Sequence, residues 1–338
     1  MSFRPSAGTL ALPQGSLILV TGASGFIASH IIREALLAGY KVRGTARSEE
    51  KTARTKKVHP SDNYSTIVVK DMEHPEAFTE AVKGVDAIIH TANVMTFSAD
   101  PTEVVEPCIK GATSILNAAL SEGSRIKRFV YTSSSTAATL PKPGKEFSID
   151  AASWNTEVER DYGDKKGEQT GKGFQIYALS KTAAERAIWQ FAKDHRQKLP
   201  WVTNTVLPNS NFGAILDDQP ASTGKTCIDV LEGRRPGMGP QYMINVTDCA
   251  RLHVAAAIDA DVQEQRILAF DQPFNINKVA DVVEEITGRK NVIERDENEG
   301  EDLSTVDNGP GRLLLRKWWG QEYQGLVESV RQNIEGRW

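Results

Sequence analysis

The 338-residue chain has only three cysteines, Cys108, Cys227 and Cys249. A disulfide framework needs many more per residue and an oxidising compartment, so the three read as reduced thiols. An excess of charge of one sign is also missing: 40 basic against 44 acidic side chains leave a net −4, and neither end gathers the basic residues. That argues against nucleic acid or an anionic membrane as the main partner. Long apolar runs are absent too. The longest are strand-sized, and the first residues hold no stretch fit for a signal sequence, so no membrane span and a cytosolic location are expected. There is no internal repeat and no low-complexity tail.

What the chain does have is alternation. Short apolar runs at Leu17–Val20, Lys41–Arg43, Thr66–Val69, Val85–Ile89, Arg128–Tyr131 and Val202–Leu207 are mostly separated by helix-length segments. Parallel strands covered on both faces read in this way, which predicts an α/β fold with a doubly wound parallel sheet. The rhythm breaks in the polar stretch from Asn155 to Phe174, expected to be a solvated excursion. It loosens again after Pro208. There the text predicts a loop from Gly213 to Lys225, a short helix ending at Gly233 and a strand Tyr242–Val246. A helix capped by Thr247 and Asp248, a strand Arg266–Phe270 and two C-terminal helices follow.

The first run leads straight into Thr21-Gly-Ala-Ser-Gly-Phe-Ile-Ala28 and then a helix from His30 to Ala38. Strand, tight turn and helix in that order make a phosphate-binding site. Gly22 allows the turn, and Gly25 lets the backbone, with Ser24, Phe26 and Ile27 beside it, approach a pyrophosphate. Small Ala28 lets the helix pack on the strand with its amides facing the anion. The second strand selects the dinucleotide. A carboxylate about 20 residues past the glycines would hold the ribose of NAD, but the text is Arg43-Gly-Thr-Ala-Arg47-Ser48 with no acid until Glu49. Arg47, with Lys51 as helper, therefore points to the 2′-phosphate of NADP(H). Residues 1–207 are expected to form the dinucleotide-binding domain, with 240–260 returning to it, and 208–338 mainly a smaller substrate-binding lobe.

The catalytic signal is Tyr177-Ala-Leu-Ser-Lys181 at the start of a long helix. Residues four apart share a face, so phenol and ammonium stand one turn from each other. That face continues through Ala184, Ile188 and Phe191, while Glu185, Arg186, Gln190 and Lys193 are expected to fall elsewhere. Lysine in line with an apolar stripe is unusual, and a nearby ammonium is expected to lower the tyrosine pKa toward neutrality. The fifth strand ends in Thr132-Ser-Ser-Ser135. In a parallel sheet ligands bind outside such carboxyl ends, where a hydroxyl could hold a substrate carbonyl.

Together, the Thr-Gly-x-x-Gly-x-x-Ala turn, Thr132 to Ser134 and the Tyr-x-x-x-Lys pair resemble the extended short-chain dehydrogenase/reductase family. The phrases Lys41 to Arg47, Arg128 to Ser134 and Val206 to Asn209 are similar to its fungal NADPH-dependent aldehyde and carbonyl reductases, the yeast carbonyl reductase type related to dihydroflavonol reductases. The resemblance runs from about Gly15 to the C-terminal helix. It implies Ser134 as catalytic serine, Tyr177 as proton donor and Lys181 as its tuner and ribose ligand. It further implies Asp71 and Met72 beside the adenine, Thr91 and Ala92 along the cofactor, Pro208 to Ser210 by the nicotinamide, and Phe97 and Gln241 in a largely apolar substrate pocket. Sugar-nucleotide epimerases and dehydratases of the same family commonly carry Tyr-Gly after the catalytic serine and Arg before the proline after the sixth strand. Here Ala137-Ala138 and Leu207 stand instead, which argues against a nucleotide sugar.

The expected activity is NADPH-dependent reduction of aldehydes, ketones or ketoesters, with a small-molecule carbonyl as the partner. The alternatives are a non-catalytic NADP(H) sensor or scaffold, and NADP-dependent alcohol oxidation or dihydroflavonol-type reduction in a biosynthetic route. Cys249 and His253, four apart, read as helix packing because two ligands make no zinc site, and His90 reads as a hydrogen-bonded structural histidine. Trp318 and Trp319 with Leu313 to Leu315 read as helix packing or an oligomer contact, so monomer and homodimer both stay open.

Overall fold

The structure, a computed structural model, describes residues 2–94, 98–162, 173–217 and 222–338. Its centre is a parallel sheet of seven strands: β1 (Leu17–Val20), β2 (Lys41–Ala46), β3 (Tyr64–Val68), β4 (Ala87–His90), β5 (Arg128–Thr132), β7 (Val202–Pro208) and β10 (Arg266–Ala269). The spatial order is β10-β7-β5-β4-β1-β2-β3, every pair parallel. Chain order reverses between β1 and β4, so the crevice for a ligand opens at their carboxyl ends.

Helices cover both faces. On one lie α1 (Phe26–Leu37) and α7 (Val246–Ile258), with Ile31, Ala35, Ala250 and Val254 in a shared core. On the other lie α3 (Val105–Ser121) and α5 (Gly173–Asp194), joined through Ile115, Ala119, Ala184 and Ile188. The helix α2 (Glu49–Val58) follows β2, with Ser48 as its N-cap, and the short α4 (Thr156–Tyr162) precedes α5. Every residue of α7 is buried, and Asn245 rather than Thr247 or Asp248 is its cap, accepting from the Thr247 amide at 2.8 Å.

A smaller layer holds β8 (Ser210–Phe212), β9 (Gln241–Asn245) and β11 (Gln272–Phe274) with α6 (Thr226–Leu231), α8 (Ile276–Thr287) and α10 (Leu326–Ile334) around Phe212, Phe274 and Val279. The pair β6 (Ser148–Ile149) and β12 (Thr305–Val306) forms a separate ribbon. The last long element is α9 (Gly309–Trp319), whose Trp318 and Trp319 sink into the same core as α1 and α7.

Two expectations need adjustment. The strand at Arg266 pairs with β7, Arg266 opposite Thr205, so it completes the main sheet although it lies beyond residue 208. Three helices, not two, follow it: α8, α9 and α10. Long-range pairing decides the first, whereas α8 has its own local signals in the Asn275 N-cap, the buried face of Ile276, Val279, Ala280 and Val283, and Gly288 after its end. Among the described residues no helix is long and apolar enough to cross a membrane.

Candidate active site

At the switch point, Thr21 ties the ends of β1 and β4 together. Its Oγ1 accepts from the amides of Thr91 at 3.1 Å and Ala92 at 3.0 Å, which leaves its proton for His90 Nδ1 at 2.8 Å. The next residue, Gly22, has φ +66°, and a Cβ there would stand 3.1 Å from Ala92 Cα. Only glycine fits, on both counts. The helix α1 starts at Gly25 with no side-chain cap and no acidic residue in its first turn, so its leading amides keep their donors for an anion.

One cavity of about 1120 Å³ runs from this turn to the end of β5 and on to the smaller layer. Gly22, Ser24, Gly25, Phe26 and Ile27 line it, as do Arg47 and Lys51 at the end of β2. Asp71 and Met72 after β3, Thr91 and Ala92 after β4, and Pro208 and Ser210 around the end of β7 line it as well. So do Ser134, Tyr177, Lys181 and Gln241. The structure thus brings all these sequence-predicted residues to one cleft; Phe97 lies outside the described residues. Leu140, Pro141, Pro143, Phe174 and Met238 line the cleft too, and no motif pointed to them.

The cleft fits a phosphorylated dinucleotide: an uncapped helix N-terminus, a glycine turn that a Cβ would fill, and an exposed arginine where an NAD site needs a carboxylate. Gly22 to Ile27 would hold the pyrophosphate and Arg47 with Lys51 the 2′-phosphate.

At the catalytic end Ser134 and Lys181 are buried and Tyr177 is half-buried. Ser134 Oγ accepts from the Thr136 amide at 3.2 Å and from Thr136 Oγ1 at 3.0 Å. Ser134 is also hydrogen-bonded to the Tyr177 phenol. Thr136 is a partner the sequence did not announce; an Asx- or Ser-type turn at a strand end is its only signal. Lys181, 4 % exposed, donates to the Thr132 carbonyl at 3.0 Å and lies 5.3 Å from the centre of the Tyr131 ring. Burial lowers its pKa to about 8, against the raising influence of Cys108 and Glu185.

Tyr177 corrects an expectation. Its pKa is raised to about 12, not lowered: burial dominates, the Ser134 hydrogen bond pulls the other way, and Cys108 adds to the rise. The ammonium spends its charge on the Thr132 carbonyl and the Tyr131 ring. A second correction concerns Glu185, which the helical pattern sets away from the buried face. It has no solvent exposure and forms an ion pair with Arg266 at 2.8 Å. The signal that could have found it is its spacing, four residues after Lys181. His90 is hydrogen-bonded at Nδ1 by Thr21, and both ring nitrogens of His253 are engaged. His253 donates from Nδ1 to the Cys249 carbonyl at 2.8 Å and accepts at Nε2 from Thr132 Oγ1 at 2.9 Å.

Residues 18–219 match the NAD dependent epimerase/dehydratase family. The chain is 36% identical over 335 residues to the NAD-dependent epimerase/dehydratase terH of Aspergillus terreus, covering 96% of this chain and 97% of that one. It is 35% identical over 334 residues to aldehyde reductase 2 of Sporidiobolus salmonicolor, covering 96% of each. Among solved structures it superposes on Gre2 from Candida albicans in complex with NADPH, with TM-score 0.82 and 25% identity over 95% of this chain and 98% of that one.

Proposed function

The chain belongs to the NAD dependent epimerase/dehydratase family, in its extended short-chain dehydrogenase/reductase form, and from that premise we propose how its residues reduce a carbonyl with NADPH. It is an NADPH-dependent aldehyde and ketone reductase. NADPH, when bound, supplies the hydride that reaches the carbonyl carbon. The substrate oxygen sits between the Ser134 and Tyr177 hydroxyls, Ser134 orienting it and Tyr177 delivering the proton. A phenol held at about 12 stays protonated throughout the physiological range, the state a proton donor needs. The observation that carries the reading is geometric: Ser134, Tyr177 and Lys181 line the same cleft as the phosphate turn, and the reductive direction follows the aldehyde reductase and ketoreductase to which the chain is similar. Lys181, held by the Thr132 carbonyl, would act as an ammonium beside the phenol and would bind the cofactor ribose.

The substrate side is apolar. Leu140, Pro141, Pro143 and Met238 line the same cleft as Ser134 and Tyr177, and the Phe174 ring stacks on Tyr177 with centroids 6.4 Å apart. These apolar side chains suit an aldehyde, aryl ketone or ketoester. We assign substrate binding jointly to Leu140, Pro141, Pro143 and Phe174 from the first 207 residues and to Met238 and Gln241 from the smaller layer, while α7 and β10 support the dinucleotide sheet. Three buried free cysteines agree with a cytosolic site of action.

The test is turnover with NADPH and then NADH against a panel of aldehydes, α-ketoesters and aryl ketones, followed by cofactor absorbance. NADPH-selective consumption that disappears in Tyr177→Phe is the expected outcome. Equal use of NADH would overturn the role of Arg47, and undiminished turnover by Tyr177→Phe would overturn the role of the phenol.

A further inference from the structure

Glu185 stands one turn past Lys181 on α5, wholly buried. A carboxylate in that position needs donors for its lone pairs, and five bonds provide them. Oε2 accepts from Ser133 Oγ at 2.7 Å and Arg266 Nη2 at 3.3 Å. Oε1 accepts from Thr205 Oγ1 at 2.8 Å, Arg266 Nε at 2.8 Å and Trp189 Nε1 at 3.3 Å. The donors come from the end of β5, from β7, from β10 and from α5 itself. Arg266 is fixed in turn: Nη1 donates to the carbonyls of Ala151 and Ser153, both at 2.7 Å, and its guanidinium lies 3.9 Å from the centre of the Trp154 ring.

Ser133 is the link to chemistry. It sits between Thr132, whose carbonyl receives the Lys181 ammonium, and Ser134, whose hydroxyl meets Tyr177. A carboxylate that holds Ser133 therefore fixes where both neighbours stand relative to α5. We propose that Glu185 is a positioning residue, locking the end of β5 onto the catalytic helix and supplying the negative charge that keeps Lys181 an ammonium. The inference rests on the roles given above to Ser134, Tyr177 and Lys181.

The surroundings of Lys181 show why that charge matters. Facing it are the Tyr131 ring from β5, Cys108 from α3, His90 from β4, His253 from α7, and Tyr177 and Glu185 from its own helix. Burial holds His90 at about 3 and His253 at about 4, so both are neutral at the working pH. Glu185 is the one carboxylate in this ring of groups.

The experiment is the pH dependence of kcat in the full-length enzyme, with NADPH and a carbonyl that the wild type reduces, for Glu185→Gln, Glu185→Asp and Glu185→Gln/Arg266→Gln. The double variant leaves no buried charge unpaired and keeps the test open where Glu185→Gln fails to fold. Glu185→Gln should lower kcat about ten- to a hundredfold through lost alignment. Its alkaline limb should move about one pH unit toward acid as Lys181 loses Glu185's charge and keeps that of Arg266, while the double variant, which removes one charge of each sign, should show the fall in kcat with a smaller move of the limb. Glu185→Asp, which keeps the charge but retracts it, should lower kcat with the limb left in place. An unmoved limb in Glu185→Gln and an undiminished kcat in the double variant, with only thermal stability reduced, would show a structural ion pair and overturn the proposal. Tyr177→Phe runs in the same series: if it keeps turnover, the proton-donor reading falls and this inference with it. If it is dead while the glutamine variants keep the wild-type profile, the inference alone fails.

Discussion

The two ends of the cleft use charge in opposite ways. At the phosphate end, Arg47 is exposed, Lys51 half-buried, and the helix donors stand open at an exposed Gly25. At the catalytic end, Lys181, Ser134 and Glu185 are buried and each is held by named hydrogen bonds. Charge in water is inexpensive to keep and weak in effect, whereas charge out of water acts strongly and must be surrounded by partners. Binding a phosphate tolerates the first arrangement. Placing a proton within bonding distance of one atom requires the second.

Substitutions at the two ends should therefore differ in size and kind. Tyr177→Phe removes the proton and should cut kcat/KM about a thousandfold or more, with NADPH affinity nearly unchanged by fluorescence titration. Arg47→Ala should raise the KM for NADPH about ten- to a hundredfold and leave that for NADH alone, the worth of one charge-assisted contact. If Arg47→Ala instead lowered kcat with KM unmoved, the contrast between the ends would break. Lys51→Ala, at a half-exposed site, should weaken NADPH only a few-fold, and less at high salt.

A fourth prediction tests burial by pH, at His30 on α1 as well as at His90 and His253 near Lys181. His30, His90 and His253 are held at about 3, 3 and 4, chiefly by burial, below the 6.5 of an unfolded histidine. Between those values the unfolded chain binds more protons than the folded one, so stability rises with pH and is lost as pH falls below 6.5. Each histidine should contribute about 1.4 kcal/mol of loss per pH unit in that window. Thermal unfolding measured from neutral to mildly acid pH should show Tm falling steeply. A flat profile would mean the histidines are reached by water.

The contrast between the two ends also explains what could be read in the sequence. Six strands of the main sheet were legible because strands buried on both faces are continuous apolar runs. The phosphate turn was legible because Gly22 and Gly25 answer a local backbone demand, and Tyr177 and Lys181 because four residues span one helical turn. The seventh strand, at Arg266, looked like part of the second lobe because its partner Thr205 lies far back in the chain. Glu185 looked like a solvated charge for the same reason: its counterion is Arg266, 81 residues away. The direction of the Tyr177 shift depended on depth, since the ammonium expected to lower it is engaged by the Thr132 carbonyl. Local requirements are written in local residues; burial is a property of the whole fold.

The most direct test of the account follows the hydride and the proton together. With NADPH deuterated at the transferable position of the nicotinamide, the wild-type enzyme should convert an accepted aldehyde to an alcohol carrying one deuterium on the former carbonyl carbon, and Tyr177→Phe should yield none while still binding NADPH. Deuterated alcohol formed by Tyr177→Phe at the wild-type rate, or alcohol without deuterium from the wild type, would contradict it.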